Sequence, residues 1–366
     1  MRTAAVVLAG VVLATIPACG GGGGKAGKAK VAIVTNCTDP FWDICQAGAL
    51  KGGKDFDVDV TFKQPEQGTV DVQMKTVDDL LKLGVKGLAV SVINPAEQTP
   101  RLKTIAQDLP ANNFLTMDND APESGRLCYV GVDNYEAGKE VGRMVKEALP
   151  QGGTVALFIG TTDSDNAKKR VAGVLSELDG KDVRADVAKG VYQEKYGSFT
   201  LHRKQPITDD LKQDRAAANA GDTLEQLKGV ANVCFVGLYA YNPAKILEAA
   251  RTKGMVDKIK IVGFDEDLVT LDGIAKGEIV GSVSQDPYNY GYETVKWLRH
   301  VIDGKDKKEL PQMPTAFSVV TKDGGAALKR PVTVAGATKE IEVKQRKAAD
   351  YAQLVRDAYS AAKAGK

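Results

Sequence analysis

At the ends of several short apolar runs, this chain carries planar polar groups interleaved with aromatic rings. Thr38, Asp39, Phe41 and Trp42 follow KVAIVT, and Asp118 and Asn119 close NFLTMD. Asp163, Asn166, Lys168 and Arg170 follow TVALFIG, and Tyr239, Tyr241 and Asn242 follow VCFVGL. Phe264 and Asp265 end KIKIVGFD, and Gln285 ends EIVGSVSQ. Carboxylates, amides and guanidinium groups bind neighbouring hydroxyls in pairs, because each hydroxyl both donates and accepts. An aromatic face stacks on a weakly apolar C–H face. The combination suits a small polyhydroxylated molecule such as a sugar. Each residue also has a structural reading: Asp and Asn cap helices, and Phe41 and Trp42 are core-forming types. Recurrence of one chemistry at successive run ends favours a binding site.

Other chemistries find little support. The sequence has two histidines, His202 and His300, which excludes a histidine-rich zinc site and leaves little for a Ser-His-Asp triad. Five cysteines (Cys19, Cys37, Cys45, Cys128 and Cys234) contain no C-x-x-C pair. Cys37 and Cys45 read as small buried thiols, with a disulfide as the alternative in an oxidising compartment. DFDVDVTFKQPE (55–66) places acids as a calcium loop would, but Val60 stands where that loop needs glycine, and the alternation fits a strand. Gly22 to Lys28 has the G-x-x-x-x-G-K spacing of a phosphate loop, yet Ala29 replaces the hydroxyl residue and the run precedes the first strand. No G-x-G-x-x-G follows that strand, so a dinucleotide enzyme lacks its phosphate turn. No metal or cofactor is expected. Asp39 with Asp118 would be the acid pair of a glycosidase, the enzyme alternative to a binding module.

The charged residues number 49 basic and 47 acidic in 366, with the signs mixed along the chain, which argues against a nucleic-acid partner. Residues 1–18 have a basic start and an apolar stretch too short to span a bilayer. Ile16-Pro17-Ala18-Cys19 resembles a bacterial lipobox, which implies acylation of Cys19 and a membrane anchor; plain cleavage after Ala18 is the alternative. The Gly-rich residues 19–29 then form a tether, with a reach on the order of 17 Å if flexible.

From Lys30 onward, β-rich runs alternate with amphipathic helical stretches. Continuous apolar strands such as KVAIVT and GLAVSV (87–92) belong to a parallel sheet covered on both faces. Repeated strand–helix–strand units require crossovers, and about a dozen strands exceed one ordinary open sheet. The expected fold is α/β, with two similar doubly wound parallel-sheet domains. In such sheets ligands bind beyond the C-terminal strand ends, where the polar and aromatic residues lie. A weak strand is expected near 182–188, and a helix-like segment over 344–366 whose packing the pattern leaves open.

TNCTDPFWDICQAG, GLAVSVINP, LTMDND, YVGVDNYEAGKEVG, NAKKRVAGV, VGLYAYNPAKILEA, VGFD and GSVSQDPYNYG, in that order, resemble the periplasmic sugar-binding proteins of the ribose-binding type over roughly residues 30 to 322. The resemblance implies a type I periplasmic-binding fold whose domains, joined by three hinge strands, close on a sugar. It implies an N-terminal domain of 30–134 plus 286–313, a C-terminal domain of 135–285 plus 314–322, and an extension over 323–366. Phe41 and Trp42 would stack on the sugar. Asp39, Asp118 and Asn119 would bond its hydroxyls from the first domain. Lys168, Tyr239 or Asn242, Asp265 and Gln285 would do so from the second domain and hinge, with Phe264 adding apolar contact. Asn119 and Lys168 stand where ribose binders carry arginine, so the sugar need not be ribose. The implied partner is an ABC permease and the implied state a monomer, with a sensory receptor as the alternative role. Regulators of the lac-repressor type share the core but carry a helix-turn-helix, and none is legible here.

Overall fold

The structure, a computed structural model, describes residues 28–311, 314–334 and 337–364. The expected leader over 1–18, the expected acylation site Cys19 and most of the Gly-rich run 19–29 lie outside the described residues. Elements run in the order β1 (Ala29–Val34), α1 (Pro40–Asp55), β2 (Val58–Lys63), α2 (Val70–Lys82), β3 (Gly87–Val90), α3 (Pro95–Asp108), β4 (Phe114–Met117), β5 (Tyr129–Val130) and α4 (Asn134–Ala148). There follow β6 (Gly153–Ile159), α5 (Asp165–Asp179), α6 (Arg184–Ala188), β7 (Lys195–Tyr196), β8 (Phe199–Leu201), β9 (Ile207–Thr208), α7 (Gln213–Gln226), β10 (Val233–Gly237) and α8 (Asn242–Thr252). The chain ends with β11 (Lys260–Phe264), α9 (Leu268–Lys276), β12 (Gly281–Ser284), α10 (Pro287–Ile302), β13 (Ser318–Thr321), β14 (Leu328–Val334), β15 (Ala337–Lys347) and α11 (Ala348–Ala364).

Two sheets form. One has the order β2-β1-β3-β4-β5, all parallel. The other runs β14-β15-β13-β12-β11-β10-β6-β8-β7, parallel through β12-β11-β10-β6-β8, with β13 antiparallel to β12. Strands β1, β3, β4, β10 and β12 are buried along nearly their whole length, as both-face coverage requires. The chain crosses between the lobes after β5, between β12 and α10, and before β13, so α10 returns to pack on α1 and the first sheet. At one crossing, Thr315 N–H donates to Gly131 O at 2.8 Å.

The region near 182–188 is helical (α6), not a strand. Val183 and Val187 are its buried residues and lie on one helical face, while the rest of the segment is exposed and lacks alternation. The C-terminal segment is more structured than its composition suggests: β14 and β15 form an antiparallel hairpin, β15 joins β13 in parallel, and α11 follows. Cys37, Cys45, Cys128 and Cys234 are free thiols in this fold; Cys45 Sγ sits 3.8 Å from Met117 Sδ. Val60 of the calcium-like stretch lies within β2, paired with Val31.

Local signals set the ends of the elements that carry the site. Asp39 caps α1, accepting from Phe41 N–H at 2.9 Å, and Pro40 occupies the first turn. Gln73 donates to the carbonyl oxygens of Thr35 (2.8 Å) and Ser91 (2.6 Å), tying the ends of β1 and β3, and Gln98 donates to Gln73 at 2.7 Å. Helices α1 and α10 touch backbone to backbone: a Cβ on Gly291 would collide with the carbonyl oxygen of Cys45, and one on Gly48 with that of Tyr288. Gly291→Val should therefore force α10 away from α1 and cost about 1–3 kcal/mol or more. Urea titration checks this through a lower midpoint at unchanged slope.

Candidate functional site

The strand ends of both sheets face one cavity between the lobes. Its walls include Asp39, Phe41, Trp42, Asp118 and Asn119 from the first lobe, and Ser164, Asn166, Arg170, Tyr239, Tyr241 and Asp265 from the second, with Gln285 at a crossing. Asp118 directly follows β4 and Asp265 directly follows β11. Both adopt left-handed backbone (φ 61° and 68°), which Asp tolerates better than most residues and which takes each chain sharply off its strand.

Arg170 is the centre of the second lobe's wall and is 2% exposed. Its Nε donates to Asn134 Oδ1 at 2.8 Å and its Nη1 to the Leu238 carbonyl at 2.9 Å. The guanidinium lies 4.0 Å over the Phe264 ring and 3.9 Å from Asp265 Oδ2. Gln285 Nε2 donates to the other Asp265 oxygen at 2.7 Å, and Tyr290 OH donates to Gln285 Oε1 at 3.2 Å while accepting from Val132 N–H at 2.9 Å. On the first lobe, Ser91 Oγ donates to Asp118 Oδ2 at 3.0 Å, and Tyr129 OH fixes the Asp118 carbonyl at 2.7 Å. Asn119 Nδ2 donates to the Val92 carbonyl. Trp42 Nε1 donates to Asn36 Oδ1 at 3.1 Å, and its ring meets Phe41 edge-on, centroids 4.8 Å apart. The side chains that line the cavity are thus held by groups behind them. The amide oxygens of Asn119 and Asn166, both cavity-lining, are buried without a partner.

The structure brings together Asp39, Phe41, Trp42, Asp118, Asn119, Tyr239, Asp265 and Gln285. It leaves out three residues that the resemblance implied. Lys168 is half-buried on another face of α5, and Arg170 supplies the cation. Asn242 is buried behind the wall, its amide spent on Tyr239 N–H (3.2 Å) and Asp209 Oδ2 (2.9 Å). Phe264 is fully buried and supports Arg170 from below. Helical spacing carried the signal for the first correction: Asn166, Arg170 and Val174 recur every four residues on the buried face, and Lys168 does not. His202 and His300 stand apart: His202 bonds Gln226 on the surface, and His300 Nε2 meets the Asp306 carbonyl.

Among the described residues, Arg170 is the one basic side chain lining this cavity, against Asp39, Asp118 and Asp265. Burial pushes each of these carboxyls up to about 6; the Phe41 N–H opposes this at Asp39, and Arg170 opposes it at Asp118 and Asp265. A neighbouring recess is lined by Asp39, Glu248, Glu266, Asp267 and Tyr359. Much of its acid is already committed, since Asp39 and Asp267 cap α1 and α9, and Glu248 pairs with Lys245 at 3.0 Å.

Residues 31–306 match the model of the periplasmic binding protein domain. The chain belongs to this family. It is 25% identical to a xylose/arabinose-binding protein of Sulfolobus acidocaldarius over 274 residues, which is 72% of this chain and 63% of that protein's length. It is 26% identical to a D-galactose/methyl-galactoside binding periplasmic protein of Haemophilus influenzae, over 66% of this chain and 72% of that one. Among solved structures, an ABC transporter solute-binding protein of Burkholderia graminis, in complex with D-arabinose, superposes with a TM-score of 0.70 at 25% identity, covering 82% of this chain and 97% of that one. The expected two-domain α/β class is the fold of this family member.

The raised carboxyls make a stability prediction. Between about pH 4 and pH 6 the native state holds more protons on Asp39, Asp118 and Asp265 than the unfolded chain does. Their contribution to stability therefore falls as pH rises through that window and stays low above it. Asp118→Asn keeps the shape, tolerates the left-handed backbone and removes one such charge. It should raise the melting temperature of the sugar-free protein at pH 7 and change it much less at pH 4.5, as calorimetry at the two pH values would read.

Proposed function

We propose that this chain is the sugar-binding receptor of an ABC importer, holding one neutral monosaccharide between two closing lobes. The lobes are residues 30–134 with 286–313, and 135–285 with 314–322. The observation that carries the reading is the chemistry of the cavity at the strand ends: Asp39, Asp118 and Asp265 as hydroxyl acceptors, Arg170 as donor, orphaned Asn119 and Asn166 oxygens, and the rings of Phe41, Trp42 and Tyr239. Three acids against one guanidinium disfavour phosphorylated or carboxylated sugars. Groups from both lobes reach one ligand in the closed form alone, so binding favours closure. The family's sugar-binding relatives support a receptor over an enzyme. Export, acylation at Cys19, a short tether and a monomeric receptor held at the membrane as a periplasmic or cell-surface lipoprotein complete the proposal.

A thermal-shift panel tests it, since a ligand of the native state raises the midpoint. D-Xylose, D- and L-arabinose, D-galactose and D-ribose form the neutral set; mannitol and adenosine extend it; ribose 5-phosphate and galacturonate are the charged controls. At least one neutral sugar should raise the midpoint and neither charged compound should. A panel in which only a charged compound shifts the midpoint, or none does, rejects the reading.

The corrected residue gives a sharper expectation. Arg170→Ala should cost about 2–5 kcal/mol of sugar binding, because it also strands buried Asp265. Lys168→Ala should leave affinity within about 0.5 kcal/mol, as an ordinary substitution away from the site. Calorimetric titration of both variants with the sugar that shifts wild type most decides between the two positions.

A further inference from the structure

The family match ends at residue 306, yet the chain continues into a hairpin and a helix that touch both lobes. The root of this extension is in the second lobe. β15 adds to β13 in that lobe's sheet, and Arg330 of β14 forks onto Glu140 of α4 at 2.6 and 2.8 Å. From there α11 packs on α9 of the second lobe and on α1 of the first. One apolar cluster contains Ile44 and Ala47 of α1, Leu271 and Ile274 of α9, and Tyr351, Val355, Ala358 and Ala362 of α11. Val355 and Ala358 share a surface recess with Ile44 and Tyr288 of the first lobe. Arg356 reaches Asp272 of α9 at 2.8 Å.

The same extension bonds the crossing between the lobes. Tyr351 OH and Ser284 Oγ lie 2.7 Å apart, and Arg346 Nη2 donates to Asp286 Oδ2 at 2.9 Å. Ser284 ends β12 and Asp286 caps α10, so both contacts fall where the chain passes from one lobe to the other. About two turns further along α11, roughly 12 Å, Tyr359 lines the recess beside the cavity with Asp39 and Phe41 from one lobe and Tyr241 and Asp267 from the other. The helix therefore runs from the hinge to the edge of the cleft along one flank.

We infer that residues 328–364 form an inter-lobe strap: rooted in the second lobe, α11 holds α1 of the first and biases the sugar-free protein toward the closed arrangement. Hinge opening carries α1 away from α9, and a helix packed on both must release one seam. The hairpin and Arg330 keep α11 on the second lobe, so the α1 seam is the one that parts. That seam consists of Val and Ala against Ile44 and Ala47, so its release exposes apolar surface without breaking a buried ion pair. Opening is then penalised by hydration of the seam, whichever sugar the cleft takes.

The test needs no sugar, so it fails or succeeds independently of the proposed ligand. Val355→Asp with Ala358→Asp, in the full chain, places charge in the α1 seam and alters no residue lining the cavity. Small-angle scattering of the sugar-free protein should show a radius of gyration larger by roughly 5%, against about 21 Å for a compact chain of this length. Hydrogen exchange of the α1 amides should speed up by about tenfold or more. A cooperatively melting variant with wild-type radius and wild-type α1 exchange overturns the strap. If that variant does not fold, the milder Val355→Ala with Ala358→Ser, which weakens the same seam while keeping helix-compatible residues, decides: a larger radius or faster α1 exchange supports the strap, and wild-type values of both overturn it.

Discussion

A buried guanidinium sets the terms for the rest of this protein. Arg170 has left water almost completely, so each of its donors needs a partner and its charge needs compensation. Asn134 at the start of α4 and the Leu238 carbonyl just after β10 take its Nε and Nη1 donors, and the Phe264 ring and Asp265 compensate the charge. Four elements are thereby fixed around one cation at the C-terminal edge of the second sheet. The cation in turn moderates the burial of Asp265 and, across the cleft, of Asp118. Without it, Asp118 and Asp265 would be still harder to ionise.

The cavity trades stability for recognition. Burial raises Asp39, Asp118 and Asp265 well above ordinary aspartates, and the amide oxygens of two lining residues, Asn119 and Asn166, are buried without a partner. Hydroxyl donors from a ligand would relieve both conditions at once. The aromatic side is organised for packing as much as for contact: Phe41 and Trp42 meet edge to face, and their neighbours Cys45 and Ala49 press α1 against the core. The opposite side of α1, through Ile44 and Ala47, belongs to the cluster shared with the C-terminal helix. One helix therefore presents two cavity-lining rings at its start and its seam with α11 along its flank.

Much of the architecture was legible because parallel sheets impose a simple pattern. Both-face burial makes each central strand a continuous apolar run, and each crossover inserts an amphipathic helix. Short edge elements escaped that logic. β7, β8 and β9 are two or three residues long, too short for a period to show, and the region of α6 buries only two residues. The hairpin β14–β15 is rich in Lys, Arg and Glu and buries few residues, Val332 and Val343 among them, so its composition reads as a tail until β13 offers an edge to pair with.

By itself, the sequence determined the strand ends, because backbone chemistry there is local: Asp39 before Pro40 caps a helix, and Asp118 and Asp265 follow apolar runs. It determined the kind of chemistry gathered there, since polar planar groups and rings recur at successive ends. The tertiary structure decided which neighbour on a helix faces the cleft. Lys168 and Arg170 are two residues apart, about 200° around α5, and packing against α4, with the Phe264 ring under the guanidinium, fixes which one turns inward. It also decided that Asn242 and Phe264 stand behind the wall, and that a charged C-terminal segment joins both lobes. The last two outcomes depend on contacts between residues far apart in the chain, which no local pattern encodes; the first is only hinted at by the four-residue spacing of Asn166, Arg170 and Val174.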